Sequence, residues 1–262
     1  MTHEEPQTAV DVNRFTLAIN RFVYWLSRHW LAVFNTFIAL YVSLPLLAPV
    51  LMQAGFTRPA RLIYTVYSPL CHQMASRSFF LFGDQPVYPR ELAGTDFTPI
   101  EAYMPTIPEF VGASADPSEW TSFILPARRF VGNEQMGYKT ALCERDMAIY
   151  GFVLLGGLLY GLLRRRMTIK PLPLWAFLLF GLGPIALDGF SQLFSQYLVV
   201  LAPALEALPL RESTPLLRTL TGAMFGFALV WLTYPYIDQS MAQTEASLRV
   251  KLQDAGSLSQ AT

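Results

Sequence analysis

Long runs without charge dominate this chain. Trp30 to Leu51 carries no ionisable side chain except Tyr41 and only Asn35 as a strongly polar one, and Met147 to Leu163 is likewise uncharged. A helix needs roughly 20 apolar residues to cross bilayer hydrocarbon, with about 17 as a working minimum. Leu172 to Leu187 is a third apolar stretch, broken by Gly181, Gly183 and Pro184 and ending on Asp188. Leu216 to Ile237 is the fourth, with Arg218 in its first turn. Composition agrees. The chain is 53% hydrophobic and 15% charged, where soluble domains carry about 25% charged residues. The expected fold is all-α: a polytopic membrane helical bundle of about four transmembrane helices, with interfacial helices and a Pro-rich extramembrane insert.

Charge narrows the function classes. Nineteen Lys+Arg balance 19 Asp+Glu, and no block is basic enough to track phosphates, which argues against nucleic acid as a partner. Two cysteines and three histidines exclude a disulfide-dense scaffold and a His-rich metal site. The bilayer itself is the expected partner.

Five segments follow. Residues 1–29 form an amphipathic N-terminal segment, with Phe15, Ile19, Phe22, Val23 and Leu26 on one helical face and Arg14, Arg21 and Arg28 on another. This suits a helix lying on an anionic leaflet or a helical extension of the first span. The segment is too polar and long for a signal-peptide n-region, so the first span reads as an uncleaved anchor. Residues 30–82 hold the first span and an interfacial Cys-His-Gln segment. Residues 83–140 hold Pro86, Pro89, Pro99, Pro105, Pro108, Pro117 and Pro126; proline at this density forbids long helices and central strands. Residues 141–237 bring three more spans, with 190–208 read as an interfacial or dipping helix because a fifth crossing leaves too short a connection. Residues 238–262 read as a polar, mobile tail.

Orientation follows the cations flanking the spans. With four crossings, Arg14, Arg21 and Arg28, then Arg164, Arg165, Arg166 and Lys170, then Arg249 and Lys251 share one face. That face is expected to be cytoplasmic, with both termini on it.

The unusual polar residues map to the opposite face. Cys71, His72, Gln73, Arg77 and Ser78 precede the insert; Cys143, Arg145 and Asp146 follow it. Asp188 ends the third span, and Arg211, Glu212, Ser213 and Arg218 open the fourth. Charges at membrane depth are costly and are usually paired or functional. Cys143 and Asp146, three apart, share a helical face, and with Cys71 and His72 they make a tetrahedral set for zinc or iron. A Cys71–Cys143 disulfide and two buried free thiols are the alternatives. Arg77, Arg145, Arg211 and Arg218 against Asp188 and Glu212 read either as a clamp for an anionic headgroup or as a structural ion-pair cluster. Gln73, Ser78 and Ser213 are further polar contacts, and a Ser–His pair with His72 has no supporting motif. Hydrolase, metalloprotease and nucleotide-binding signatures are absent.

These motifs resemble a family of small bacterial membrane proteins catalogued as domain of unknown function 2085. The residues carrying the resemblance are Cys71-His72-Gln73, Arg77-Ser78-Phe79, Cys143-Glu144-Arg145-Asp146 and Ile149-Tyr150. Asp188-Gly189, Arg211-Glu212-Ser213-Thr214 and Arg218-Thr219-Leu220-Thr221-Gly222 complete it. Asp146 stands where the family has a second cysteine, and 86–140 resembles an insertion relative to shorter members. The resemblance implies a multi-pass protein of the bacterial inner membrane and assigns no activity. Three functions follow from the residues. One is a metal-dependent centre acting on an anionic amphiphile; another is a non-catalytic assembly subunit whose insert, 86–140, binds an extracytoplasmic protein; the last is a small oligomeric transporter.

Overall fold

The computed structural model describes residues 14–116, 120–201 and 210–255. Helix α1 covers Arg14–Gln53, α2 Thr57–Tyr67, α3 Trp120–Arg129 and α4 Glu144–Leu163. A further long helix is assembled from α5 (Leu174–Ala176), a π-helical turn (Phe177–Leu182) and α6 (Gly183–Leu201); α7 covers Pro215–Asp254. Four segments are long and apolar enough to cross a membrane: Arg14–Gln53, Glu144–Leu163, Leu174–Gln196 and Pro215–Asp254. They contain the charge-free runs of the sequence.

Lipid tails are as apolar as leucine, so helix association in a bilayer rests on close packing and hydrogen bonds. Small residues provide the packing here. Gly222 and Gly226 of α7 lie against the α4 backbone, where a Cβ at Gly222 would come within 2.6 Å of the Arg145 carbonyl oxygen. Gly156 of α4 faces Val230 in return. Any side chain at Gly222 would push α4 and α7 apart.

Prolines inside the helices do a second job. A helical proline has no N–H for the carbonyl four residues earlier. Pro45 therefore frees the Tyr41 carbonyl, which accepts the Tyr67 hydroxyl of α2 at 2.7 Å. Pro49 frees the Pro45 carbonyl, which accepts the Ala141 N–H at 3.3 Å. Pro235 frees the Trp231 carbonyl, which accepts the Leu172 N–H at 2.9 Å. Each orphaned acceptor docks another part of the chain.

The insert forms its own small core. Short 3₁₀ turns at Glu91–Ala93, Ile100–Ala102, Met104–Thr106 and Pro108–Phe110, with α3, enclose Tyr88, Ile100, Ile107, Phe110, Phe123 and Phe130. Three short strands, β1 (Phe80–Leu81), β2 (Gly132–Asn133) and β3 (Gly137–Lys139), pair antiparallel in the order β1-β3-β2. Phe80 opposes Lys139, and Gly132 opposes Tyr138. Met74, Ala75 and Phe80 belong to this core, so the insert's packing begins before residue 83. Buried Arg90 bonds Glu101 at 2.7 Å and lies over the Phe123 ring.

Two expectations change, and a third narrows to one of its alternatives. The helix of the third span continues through Asp188 to Leu201, so the described part of 190–208 belongs to that helix and is neither a separate interfacial helix nor a fifth span of its own; 202–208 lies outside the described residues. The polar stretch after Asp238 continues α7 to Asp254, because Met241, Ala242, Glu245, Leu248 and Lys251 are strong helix formers and Glu245 pairs with Arg28 at 3.6 Å; 256–262 lies outside the described residues. The described part of the N-terminal segment, from Arg14, is one helix with the first span, the extension rather than the separate leaflet helix; 1–13 lies outside the described residues.

The proline argument has a direct test. Tyr67→Phe should cost about 1–3 kcal/mol, the penalty of an orphaned buried acceptor, in thermal unfolding of the detergent-solubilised protein. In a Pro45→Ala background the restored N–H satisfies Tyr41, and the same change should cost less than half as much. Equal costs in both backgrounds would refute the staple.

Candidate functional site

The site gathers at the end of the bundle that carries the insert. After α2 the chain turns at Cys71-His72-Gln73, and Gln73 adopts φ +50°, a left-handed conformation that non-glycine residues rarely take. Its buried side chain holds the turn: Nε2 donates to the Tyr64 and Ala141 carbonyls, both at 2.9 Å. Lys139 supports it from β3. Fully buried, its Nζ donates to the carbonyls of Gln73 at 2.5 Å, Arg128 at 2.8 Å and Ala127 at 3.3 Å. Burial pulls the Lys139 pKa down to about 7.

Gln73 is thus a structural staple, and the turn fixes where its neighbours point. Cys71 is buried and accepts the Cys143 N–H at 3.2 Å. Cys143 sits at the N-cap of α4 and donates its thiol to Asp146 Oδ2 at 3.2 Å. One donor atom from each of Cys71, Cys143 and Asp146 lies within 4.8 Å of the others. Both cysteines are free thiols. The neighbouring Cys71 thiol, interacting side chain to side chain, and burial push the Cys143 thiol well above its usual pKa. His72 does not join this donor group. Adjacent residues diverge, and with Cys71 and Gln73 turned inward His72 is left exposed on the rim. A cavity of about 270 Å³ opens above the group, lined by His72, Arg77, Arg145, Gln192 and Arg218 among others.

The charged residues form two linked clusters beside it. In the first, Glu212 takes a bidentate pair from Arg77 at 2.9 Å, a bond from Arg218, and the amides of Gln192 at 3.0 Å and Gln196 at 2.8 Å. Arg218 also reaches Glu144 Oε2 at 3.1 Å. Both glutamates and Arg218 are almost fully buried. In the second, Asp188 receives Arg145 at 2.5 Å, Arg211 at 2.8 Å and the Ser213 hydroxyl at 2.8 Å. Ser78 closes a local turn onto the Met74 carbonyl at 2.9 Å.

All four arginines are bonded to internal carboxylates, at bond lengths typical of charge-assisted pairs. A headgroup would have to displace those partners. Of the four carboxylates in and beside the thiol group, Glu144, Asp146, Asp188 and Glu212, only Asp146 has no arginine on it among the described residues.

Gln192, Gln196 and Lys139 escaped the sequence reading, and Glu144 was named there without a role. The glutamines had a signal: Asp188, Gln192 and Gln196 recur every four residues on one helical face. Lys139 had none, since a lone lysine in a loop-rich segment reads as exposed.

A bundle of spanning helices with a charge-compensated polar end and a folded insert defines a multi-pass helical membrane protein. Comparison with known proteins agrees. Residues 126–232 match the profile of a family described as a predicted membrane protein of domain of unknown function 2085, the resemblance the motifs carry. The matched range includes Cys143 to Arg218 and leaves out the Cys71 turn. The chain is also 26% identical over 215 residues, 80% of its own length and 93% of the other's, to an uncharacterized protein of Methanocaldococcus jannaschii. No solved structure matches.

Glu212 gives a pH-dependent prediction. Burial raises its pKa, but Arg77 and Arg218 outweigh this and hold it below the ordinary glutamate value. Its contribution to stability is therefore complete above the unfolded pKa, near 4.3, and is lost as pH falls through the lower folded value. Glu212→Gln should cost about 3–5 kcal/mol at neutral pH by stranding two arginines, and the gap to wild type should narrow in acid. A cost below about 1 kcal/mol in chemical unfolding at pH 7, typical of exposed pairs, would refute the cluster's structural role.

Proposed function

We propose that this membrane protein holds a transition metal, zinc or ferrous iron, through Cys71, Cys143 and Asp146. The observation that carries the reading is the convergence of two sulfurs and one carboxylate within 4.8 Å of one another beneath a cavity of about 270 Å³. Tetrahedral zinc with sulfur at about 2.3 Å and oxygen at about 2.0–2.2 Å sets donors roughly 3.5–3.8 Å apart. Small side-chain rotations would close the difference.

Electrostatics supports a cation here. Asp146 lacks a basic partner, while the arginines around it are occupied by Glu144, Asp188 and Glu212. Metal binding would draw the thiol protons off and supply the positive charge that Asp146 lacks. Cys71, Cys143 and Asp146 would hold such a metal, and the adjoining cavity has room for a further ligand; a site with three protein ligands and room for a fourth is the kind that acts on a bound molecule. His72 on the rim is placed to contact that molecule or to swing in as a fourth ligand. Since these arginines are paired with carboxylates, a bound metal would supply the positive charge that draws an anionic amphiphile to the cavity.

We place this end outside the cytoplasm. The support is the gathering of Arg28, Arg164, Arg165, Arg166 and Lys170 at the opposite end, where Arg28 meets Glu245 and Arg164 meets Asp238.

Metal analysis of the full chain, purified in detergent without chelators, tests the reading. About one equivalent of zinc or iron is expected, falling below a tenth in Cys143→Ser and Asp146→Asn variants that keep the wild-type helical content. Less than a tenth of an equivalent in wild type, with zinc added back and both thiols titrating as free, would overturn it. Two thiols missing from the titration without metal would instead establish the Cys71–Cys143 disulfide.

A further inference from the structure

The opposite end of the bundle carries a second polar feature. The connection from α4 to α5 and the face of α7 around Pro235 enclose a groove of about 680 Å³. Its charged lining is Arg164, Arg165, Arg166 and Lys170 against Asp238 alone. Asp238 is fully engaged: it accepts from Arg164, from Trp30 Nε1 at 3.1 Å and from Tyr160 at 3.3 Å. That leaves Arg165, Arg166 and Lys170. All three are exposed, and none makes a side-chain hydrogen bond, ion pair or ring contact among the described residues. The thiol site offers the contrast, since Arg77, Arg145, Arg211 and Arg218 around it all pair with carboxylates.

We propose that this groove binds the phosphodiester headgroup of an anionic phospholipid. Depth supports a lipid. The groove lies where α4 ends after the outward-facing Leu155, Leu158 and Leu162. Tyr236 lines it, 58% exposed, and Trp175 stands nearby in sequence at 66% exposed. Aromatic rings at helix ends mark the headgroup level of a bilayer. Chemistry supports a phosphate: three unpaired cations around one concavity match its oxyanions, and basic pockets between spanning helices suit such headgroups. Met167 and Ile169 of the same loop give an apolar shelf for the glycerol and upper acyl chain.

The groove is also preformed. The Leu172 N–H is bonded to the Trp231 carbonyl, the acceptor that Pro235 leaves free. That bond closes the basic loop onto α7, so binding need not order the loop first. The proposal does not depend on the thiol site.

Full-length protein in neutral detergent is titrated with phosphatidylglycerol, with phosphatidylcholine and with soluble glycerol phosphate, and bound lipid is counted by native mass spectrometry. Wild type should bind phosphatidylglycerol saturably and well ahead of phosphatidylcholine. The R165Q/R166Q/K170Q variant should bind about fivefold more weakly per cation removed, roughly a hundredfold in all. The control R249Q/K251Q, which removes cations outside the groove, should stay within about threefold of wild type. Equal affinity of the triple variant and wild type, or an equal loss in the control, overturns the assignment. Glycerol phosphate binding as tightly as phosphatidylglycerol would make the groove a soluble-phosphate site and overturn the lipid reading.

Discussion

Backbone carbonyls without partners are intolerable at membrane depth, and this fold is organised around three of them. In hydrocarbon no water replaces a lost N–H, so each proline-freed acceptor must find a donor in the protein. α1 meets this demand twice. The Tyr41 carbonyl takes Tyr67, four residues before Cys71, and the Pro45 carbonyl takes Ala141, two residues before Cys143. Prolines one turn apart on a single helix thus locate both cysteines relative to the same rod. The thiols meet because their leads are docked on adjacent turns of α1, although they are 72 residues apart in sequence. Pro235 repeats the device at the other end with Leu172.

Docking at that depth brings charge with it, and the ion pairs make this tolerable. A buried carboxylate or guanidinium alone costs several kcal/mol of lost hydration, and attraction offsets this only with good geometry and satisfied hydrogen bonds. Glu212 has that geometry, with two arginines and two glutamine amides on its oxygens. Asp188 draws on Arg145, Arg211 and Ser213. Compensation of this kind explains why α6 runs on past Asp188, where an uncompensated carboxylate would end a membrane helix.

Much of this was legible in the sequence. Charge-free length located the spans, and the alternation of helix direction predicted that Cys71, Arg77, Cys143, Arg145, Asp188, Glu212 and Arg218 would share one end. What was hidden depends on tertiary partners. Asp188-Gly189 looks like a terminus because its neutralising arginines come from other segments. The stretch after Asp238 looks like a tail because polarity is visible and the partner face of α1 is not. His72 looks like a ligand by adjacency to Cys71, yet backbone direction in the turn is set by Gln73 and Lys139, which are 66 residues apart in sequence. The proline staples were half visible: Pro45, Pro49 and Pro235 announce three free carbonyls, but no sequence rule names Tyr67, Ala141 and Leu172 as their donors.

The first turn of α4 shows how so much converges on so few residues. Successive side chains on a helix point about 100° apart, so Glu144, Arg145 and Asp146 must face three directions. Glu144 turns to Arg218 on α7, Arg145 to Asp188 on α6, and Asp146 back to the Cys143 thiol. Two of the three are therefore committed to neighbouring helices, and their engagement fixes the rotation of α4 about its axis. That rotation leaves Asp146 no arginine and points it at the cysteines. An anionic oxygen beside two thiols is thus a geometric consequence of locking α4 between α6 and α7, and a small change of α4 rotation would disperse the donor set while leaving every span intact.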